Sequence, residues 1–306
     1  MPGGEGVVGD EGVGEGMGDG VGMPVELKPD AFLDWVITIS AGERKSFARE
    51  DVNEVFDLSW RKQYPEVGLY GLSITDNRWT YVMAGDAPER YSMVQAAVDL
   101  INYTGDLAVM QVMVEKRMVT MAGRVTGRLV EPVVEKSAGE AEVRRAALVG
   151  LREELRADVV VVLKSDGFYP GMLAWDVLTG TGLHWGDGDL FHWDNPRRGY
   201  GDDHLFSVWT STAPGYFFPE AIKEGRFDPV DLAFGYWIGR SIDPLGVFEV
   251  LADELEYCRQ RLGGVLLGRD GKPFDVAAER ARLVEVVDAM KARGMRPGSH
   301  TALRMF

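Results

Sequence analysis

The sequence predicts an α+β protein of two tandem domains, each an antiparallel sheet with helices packed on one face in a split β-α-β arrangement. Three observations carry that prediction. Short stretches with period-two apolar spacing, such as Trp35, Ile37 and Ile39, interleave with stretches at helical spacing, of which Pro244 to Leu262 is the best defined. The same grammar runs once through each half. The chain has 306 residues, enough for two hydrophobic cores. The expected units are a disordered tail over residues 1–23, an N-terminal domain over 24–156, a second domain over 157–295 and a tail over 296–306.

Residues 1–23 hold ten glycines and five acidic residues without a Lys or Arg, so they bury too little to offset backbone entropy. From Asp34 a strand is expected, bounded by Ser40-Ala41-Gly42. Val52, Val55, Phe56, Ser59 and Trp60 fall on one face of a helix ending before Pro65. Leu69 to Ile74 and Trp79 to Met83 read as a hairpin around Asp76-Asn77. Ser92 to Ile101 reads as a short helix. Leu107 to Val114 and Met118 to Gly123 read as a strand pair, and Arg144 to Leu155 as an amphipathic helix.

In the second half, Val159 to Leu163 is a strand and Gly171 to Leu178 a helix stopped by Gly180 and Gly182. Asp189 to Trp193, Leu205 to Ser211 and Leu232 to Ile238 are strands. Asp243 caps the long helix with Pro244 at its first position, and Val247, Phe248, Leu251, Leu255, Cys258 and Leu262 form its apolar stripe. Gly263-Gly264 ends it; a strand over Val265 to Leu267, a turn at Asp270-Gly271 and a helix over Ala278 to Arg293 follow.

Composition narrows the function classes. With 33 Lys and Arg against 48 Asp and Glu, the net charge is −15, the wrong sign for a nucleic-acid or anionic-membrane surface. The longest aliphatic run, Val159 to Leu163, falls far short of the roughly 20 residues that a spanning helix needs. A cytoplasmic protein with no transmembrane segment and no direct membrane insertion is expected. The single cysteine, Cys258, excludes an internal disulfide and a multi-cysteine zinc site.

No catalytic set and no cofactor is expected. His184, Asp187, Asp189 and His192 lie within nine residues, but on a strand Asp189 and His192 would face opposite sides, so they do not converge on a metal. Asp202-Asp203-His204 reads as a solvated acidic turn, and Cys258 as core.

Two strands have unusual sidedness. Leu232, Phe234, Tyr236 and Ile238 alternate with Ala233, Gly235 and Trp237, and Phe206 and Val208 alternate with Ser207, Trp209 and Ser211. The bulky set belongs under the helices. The other face carries small residues and tryptophans where a solvated face would carry Lys, Glu and Thr. A shallow depression at Ala233 and Gly235, flanked by Trp209 and Trp237, would hold a peptide. The alternative is a structural or oligomerising protein that keeps this face permanently buried.

Gly182-Leu183-His184-Trp185-Gly186-Asp187 through Leu190-Phe191-His192 resembles the pattern Gly-Leu-x-x-Gly-Asp-x-x-Ile-Phe-His of the C-terminal domain of the bacterial cell-division protein ZipA. Leu205 to Val208 with Pro214 to Phe217, then Phe227 to Leu245, Phe248 and Leu262 to Leu267, continue the resemblance over about residues 158–294. It implies a non-enzymatic adaptor at the division site that binds the helical C-terminal tail of FtsZ, or another helical peptide, on its exposed sheet face. By resemblance the peptide-binding positions are Gly188, Leu190, Trp209, Ser211, Ala233, Gly235 and Trp237. The best-known members have methionine at the first and fourth of these and phenylalanine at the sixth. Gly235→Phe and Ser211→Met are therefore expected to add apolar surface to the groove without entering the core.

Overall fold

The computed structural model describes residues 27–43, 45–126, 130–155, 158–197 and 200–306. The tail expected over residues 1–23 lies outside them. The described residues form two six-stranded antiparallel sheets, each with helices on one face, the α+β class that the sequence predicts.

The first half runs β1 (Asp34–Ser40), β2 (Phe47–Ala48), α1 (Arg49–Val55), α2 (Leu58–Gln63), β3 (Val67–Ser73), β4 (Trp79–Tyr81), β5 (Arg90–Asp99), α3 (Leu107–Thr126), β6 (Val133–Val134) and α4 (Ala138–Leu155). Strand order is β4-β3-β5-β1-β6, with β2 on the start of β5. Strand β1 buries Trp35, Ile37 and Ile39, as its alternation requires. The helix read across Val52 to Trp60 is two helices, because the Asp57 carboxylate accepts from the Trp60 amide and caps a new start.

Two expectations are overturned. Ser92 to Ile101 is not a helix: it lies in and just beyond β5, a central strand paired with β1 on one side and β3 on the other. Apolar residues stand on both of its faces, Val94, Ala96 and Val98 on one and Tyr91, Met93 and Ala97 on the other, so the period-two signal fades and alanines imitate a helix. Leu107 to Gly123 is not a strand pair but most of the single helix α3. Leu107, Met110, Val114, Met118, Met121 and Ala122 are buried at spacings of three and four, while Val109 and Val112 are exposed. The valines on the outer face supplied a false β signal.

The second half runs β7 (Asp158–Lys164), α5 (Gly171–Gly180), β8 (His184–Trp185), a 3-10 turn (Asp187–Asp189), β9 (Phe191–Asp194), β10 (His204–Trp209), α6 (Pro219–Lys223), β11 (Asp231–Trp237), α7 (Pro244–Leu262), β12 (Val265–Gly268), α8 (Val276–Ala292) and α9 (His300–Met305). Strand order is β12-β7-β11-β10-β9-β8. Asp243 caps α7 by accepting from the Gly246 amide, and Val247, Phe248, Leu251, Leu255 and Cys258 are buried. Burial pushes the Cys258 thiol up to about 12, as suits a core residue.

The two cores are separate but share the end of the chain. One is built from Leu33 to Leu155 and the other from Val159 to Val287, yet Met290, Met295, Ala302 and Met305 pack into the first. Residues 296–306, expected as a tail, thus carry α9 back onto the first sheet. Arg304 donates to Asp34 at 2.6 Å and to Asp99 at 2.9 Å, and Thr301 donates to Asp30 at 2.6 Å. The same segment is tied to the second half, where the Gly298 amide donates to the Gly239 carbonyl and Arg240 donates to the Leu303 carbonyl.

Candidate functional site: the open face of the second sheet

Helices α5 and α7 cover one face of the second sheet and leave the other open. In β11, Leu232, Phe234 and Tyr236 point into the core, so Ala233, Gly235 and Trp237 point out. In β10, Phe206 and Val208 point in, and Ser207 and Trp209 point out. Ser207 pairs with Gly235, which pairs with Val160 of β7, so these three residues form one row across the sheet. A groove of about 440 Å³ lies over that row. Leu190 and Trp209 line it, as do Trp237, Ser241 and His204.

Of the seven candidate residues the structure brings four together at this groove: Leu190, Trp209, Gly235 and Trp237. Ala233 is opposite Trp209 in register but buried. Gly188 sits in the 3-10 turn with φ +63°, exposed and outside the lining, where a glycine relieves a left-handed backbone. Ser211 lies beyond the end of β10 and has a different task. Its amide and hydroxyl donate to the two oxygens of Asp231, at 2.7 and 2.5 Å, and Thr210 donates to the same carboxylate at 3.1 Å. Burial alone would raise the Asp231 carboxyl, but these hydrogen bonds and nearby Lys164 outweigh it and hold the group below its ordinary value.

The expectation of an empty depression at Gly235 is corrected. The Trp209 indole already fills the space above it, and a Cβ on Gly235 would stand 2.6 Å from the Val159 carbonyl oxygen and 2.9 Å from Trp209 Cη2. Neither Gly235→Phe nor Ser211→Met is therefore a simple surface addition. The groove lies beside Trp209, towards Trp237, rather than between two bare small residues.

Charge is unevenly spread around it. Asp158, Asp187, Asp202 and Asp203 line the groove, and no Lys or Arg does. Asp202 is held by Arg240 and Asp158 by Arg269. Asp187 and Asp203 are exposed and make no ion pair among the described residues. Ser241, 6 % exposed, is in the same lining, and its hydroxyl has no hydrogen-bond partner among the described residues.

Three of the four histidines of the chain gather at the β8-β9-β10 edge. His192 and His204 stack at 3.9 Å between ring centroids, with His184 about 6 Å from both. Asp194 faces His204 at 3.2 Å and His184 at 3.6 Å. His192 Nδ1 is 2.8 Å from the Ser207 hydroxyl and its Nε2 2.7 Å from the Asp187 carbonyl. Burial lowers the pKa of His192, and His204 and His184 add to that, against the raising effects of the Asp187 carbonyl and carboxylate. Among the described residues no group of three or more His, Cys, Asp or Glu is arranged to hold a metal ion. Sequence reading placed His204 in a solvated loop; it is in β10, paired with Asp194 of β9. The missed signal was continuation of the His204, Phe206, Val208 region one residue further back.

No protein-family model matches the chain, and no curated protein does.

Proposed function

We propose that the second half of the chain is a non-enzymatic, ZipA-like adaptor module that binds a helical peptide across its open sheet face, the C-terminal tail of FtsZ being the first candidate and bacterial septum assembly the expected setting. One observation carries the reading: the face opposite the helices holds a concave groove between two tryptophans, floored by Gly235, Ser207 and Val160. A preformed aromatic groove of this volume suits a few apolar side chains of a ligand. Of the alternative, a structural or oligomerising protein that keeps this face buried, the burial by the first half is disfavoured, because every described residue lining the groove lies between 158 and 241. The test is a fluorescence titration of the full chain with a labelled FtsZ-tail peptide. Saturable binding that Trp237→Ala weakens by about 1 to 3 kcal/mol, with the melting temperature preserved, supports the reading. Binding insensitive to that change, or absent, removes it for this peptide.

A further inference from the structure

The acidity of the groove specifies its ligand more closely. Four aspartates line it and no described Lys or Arg does, and among the described residues only two of the four are answered by arginines at its margin. The other two stand at different places. Asp187 lies over the β9 side, where its own carbonyl meets His192, and Asp203 lies beside the end of β11, where the Asp202 amide donates to the Arg240 carbonyl. Leu190, Trp209 and Trp237 line the same groove, His204 follows Asp203 in it, and the Ser241 hydroxyl, without a hydrogen-bond partner among the described residues, lies four residues beyond Trp237. The net charge of −15 adds a long-range field of the same sign.

We infer that the groove takes a cationic amphipathic helix of a partner protein, whose apolar face seats between Trp209 and Trp237 while Lys or Arg at its margins meet Asp187 and Asp203. The inference rests on the peptide-binding reading above and adds the charge of the ligand. The geometry suits a helix of about two turns. Trp209 pairs with Ala233, but its indole leans over Gly235, two residues before Trp237, which places the two indoles roughly 7 Å apart along the strand. Apolar residues at i and i+4 of a helix span about 6 Å. An acidic or neutral apolar helix would seat the same side chains but leave two carboxylates facing it unanswered, and like charges across an interface oppose docking.

The test is selection of a random-peptide library displayed on phage against the full chain, with the Trp237→Ala protein as counter-target. The expected result is enrichment of peptides with apolar residues at helical spacing bracketed by Lys or Arg. Binding of a synthetic copy should weaken about 3- to 10-fold in the Asp187→Asn, Asp203→Asn double variant and fall with added salt. Both aspartates are exposed, so the double variant keeps the fold. Enriched peptides that need Trp237 but carry no excess of basic residues, or bind independently of salt, overturn the charge inference and leave the groove reading standing. Enrichment that is equal on the Trp237→Ala protein, or none at all, overturns both.

Discussion

The indole of Trp209 lies over Gly235 across the β10-β11 pair, close enough that a single methyl on Gly235 would meet both Trp209 Cη2 and the Val159 carbonyl. The glycine is thus a contact requirement rather than a gap. Gly235→Ala is expected to destabilise the protein by about 1 to 3 kcal/mol, the usual range for overpacking, and Gly235→Phe by more. Chemical denaturation measures this. A Gly235→Phe protein as stable as the parent would show that the indole swings aside freely.

Ser211→Ala removes one hydroxyl donor from a buried carboxylate and is expected to cost about 1 to 3 kcal/mol. The effect has a pH signature. The folded-state pKa of Asp231 lies below its ordinary 3.8, so its contribution to stability is present above that value and is lost as pH falls through the folded one. The parent and Ser211→Ala proteins should therefore converge in stability under strong acid and differ at neutral pH.

His192 predicts a second pH dependence in the mildly acidic range. Its folded pKa is depressed from 6.5, so the neutral ring stabilises the fold fully above 6.5, and that part is lost as pH falls towards the folded value. Denaturation midpoints should drop as pH decreases below 6.5. His192→Gln should start less stable, having lost the paired ring nitrogens, and should show a shallower fall. A parent protein with a flat profile over that range would contradict the assignment.

Arg304→Met tests the clasp at the end of the chain. It leaves the carboxylates of Asp34 and Asp99, with side chains 2 % and 12 % exposed, without their shared cation. Removing one partner from such a buried cluster costs about 3 to 5 kcal/mol. Thermal unfolding of the full chain reads the loss. A change below about 1 kcal/mol would mean that the pair is screened by water.

How much of this could be read from residues alone depended on how cleanly each element divides its faces. Strands β1, β7, β10 and β11 alternate because one side meets helices and the other meets water or the groove, and their boundaries were readable to within about two residues. Helix α7 was readable to the residue, since Asp243, Pro244 and Gly263 each have one local explanation. Strand β5 and helix α3 were not, because β5 is apolar on both sides and α3 carries valines where it faces solvent. The site was half readable: alternation found the Trp209 and Trp237 face, but the fit of an indole onto Gly235 and the grip of Ser211 on Asp231 depend on cross-strand register, which no local pattern encodes. Likewise the return of α9 to the first sheet rests on Arg304 finding two carboxylates some 200 residues or more away in sequence.

That return bears on the order of synthesis. A growing chain exposes the first sheet, with Asp34 and Asp99 already in place, long before Arg304 and Met305 are made. Met305 comes 150 residues after Leu155, and at ordinary elongation rates these take about 8 to 30 seconds to add. Throughout that interval the nascent first half carries an uncovered apolar patch and two carboxylates awaiting their cation. The second half must then fold close enough to deliver the missing helix, so the earliest part of the molecule to emerge is among the last to be finished.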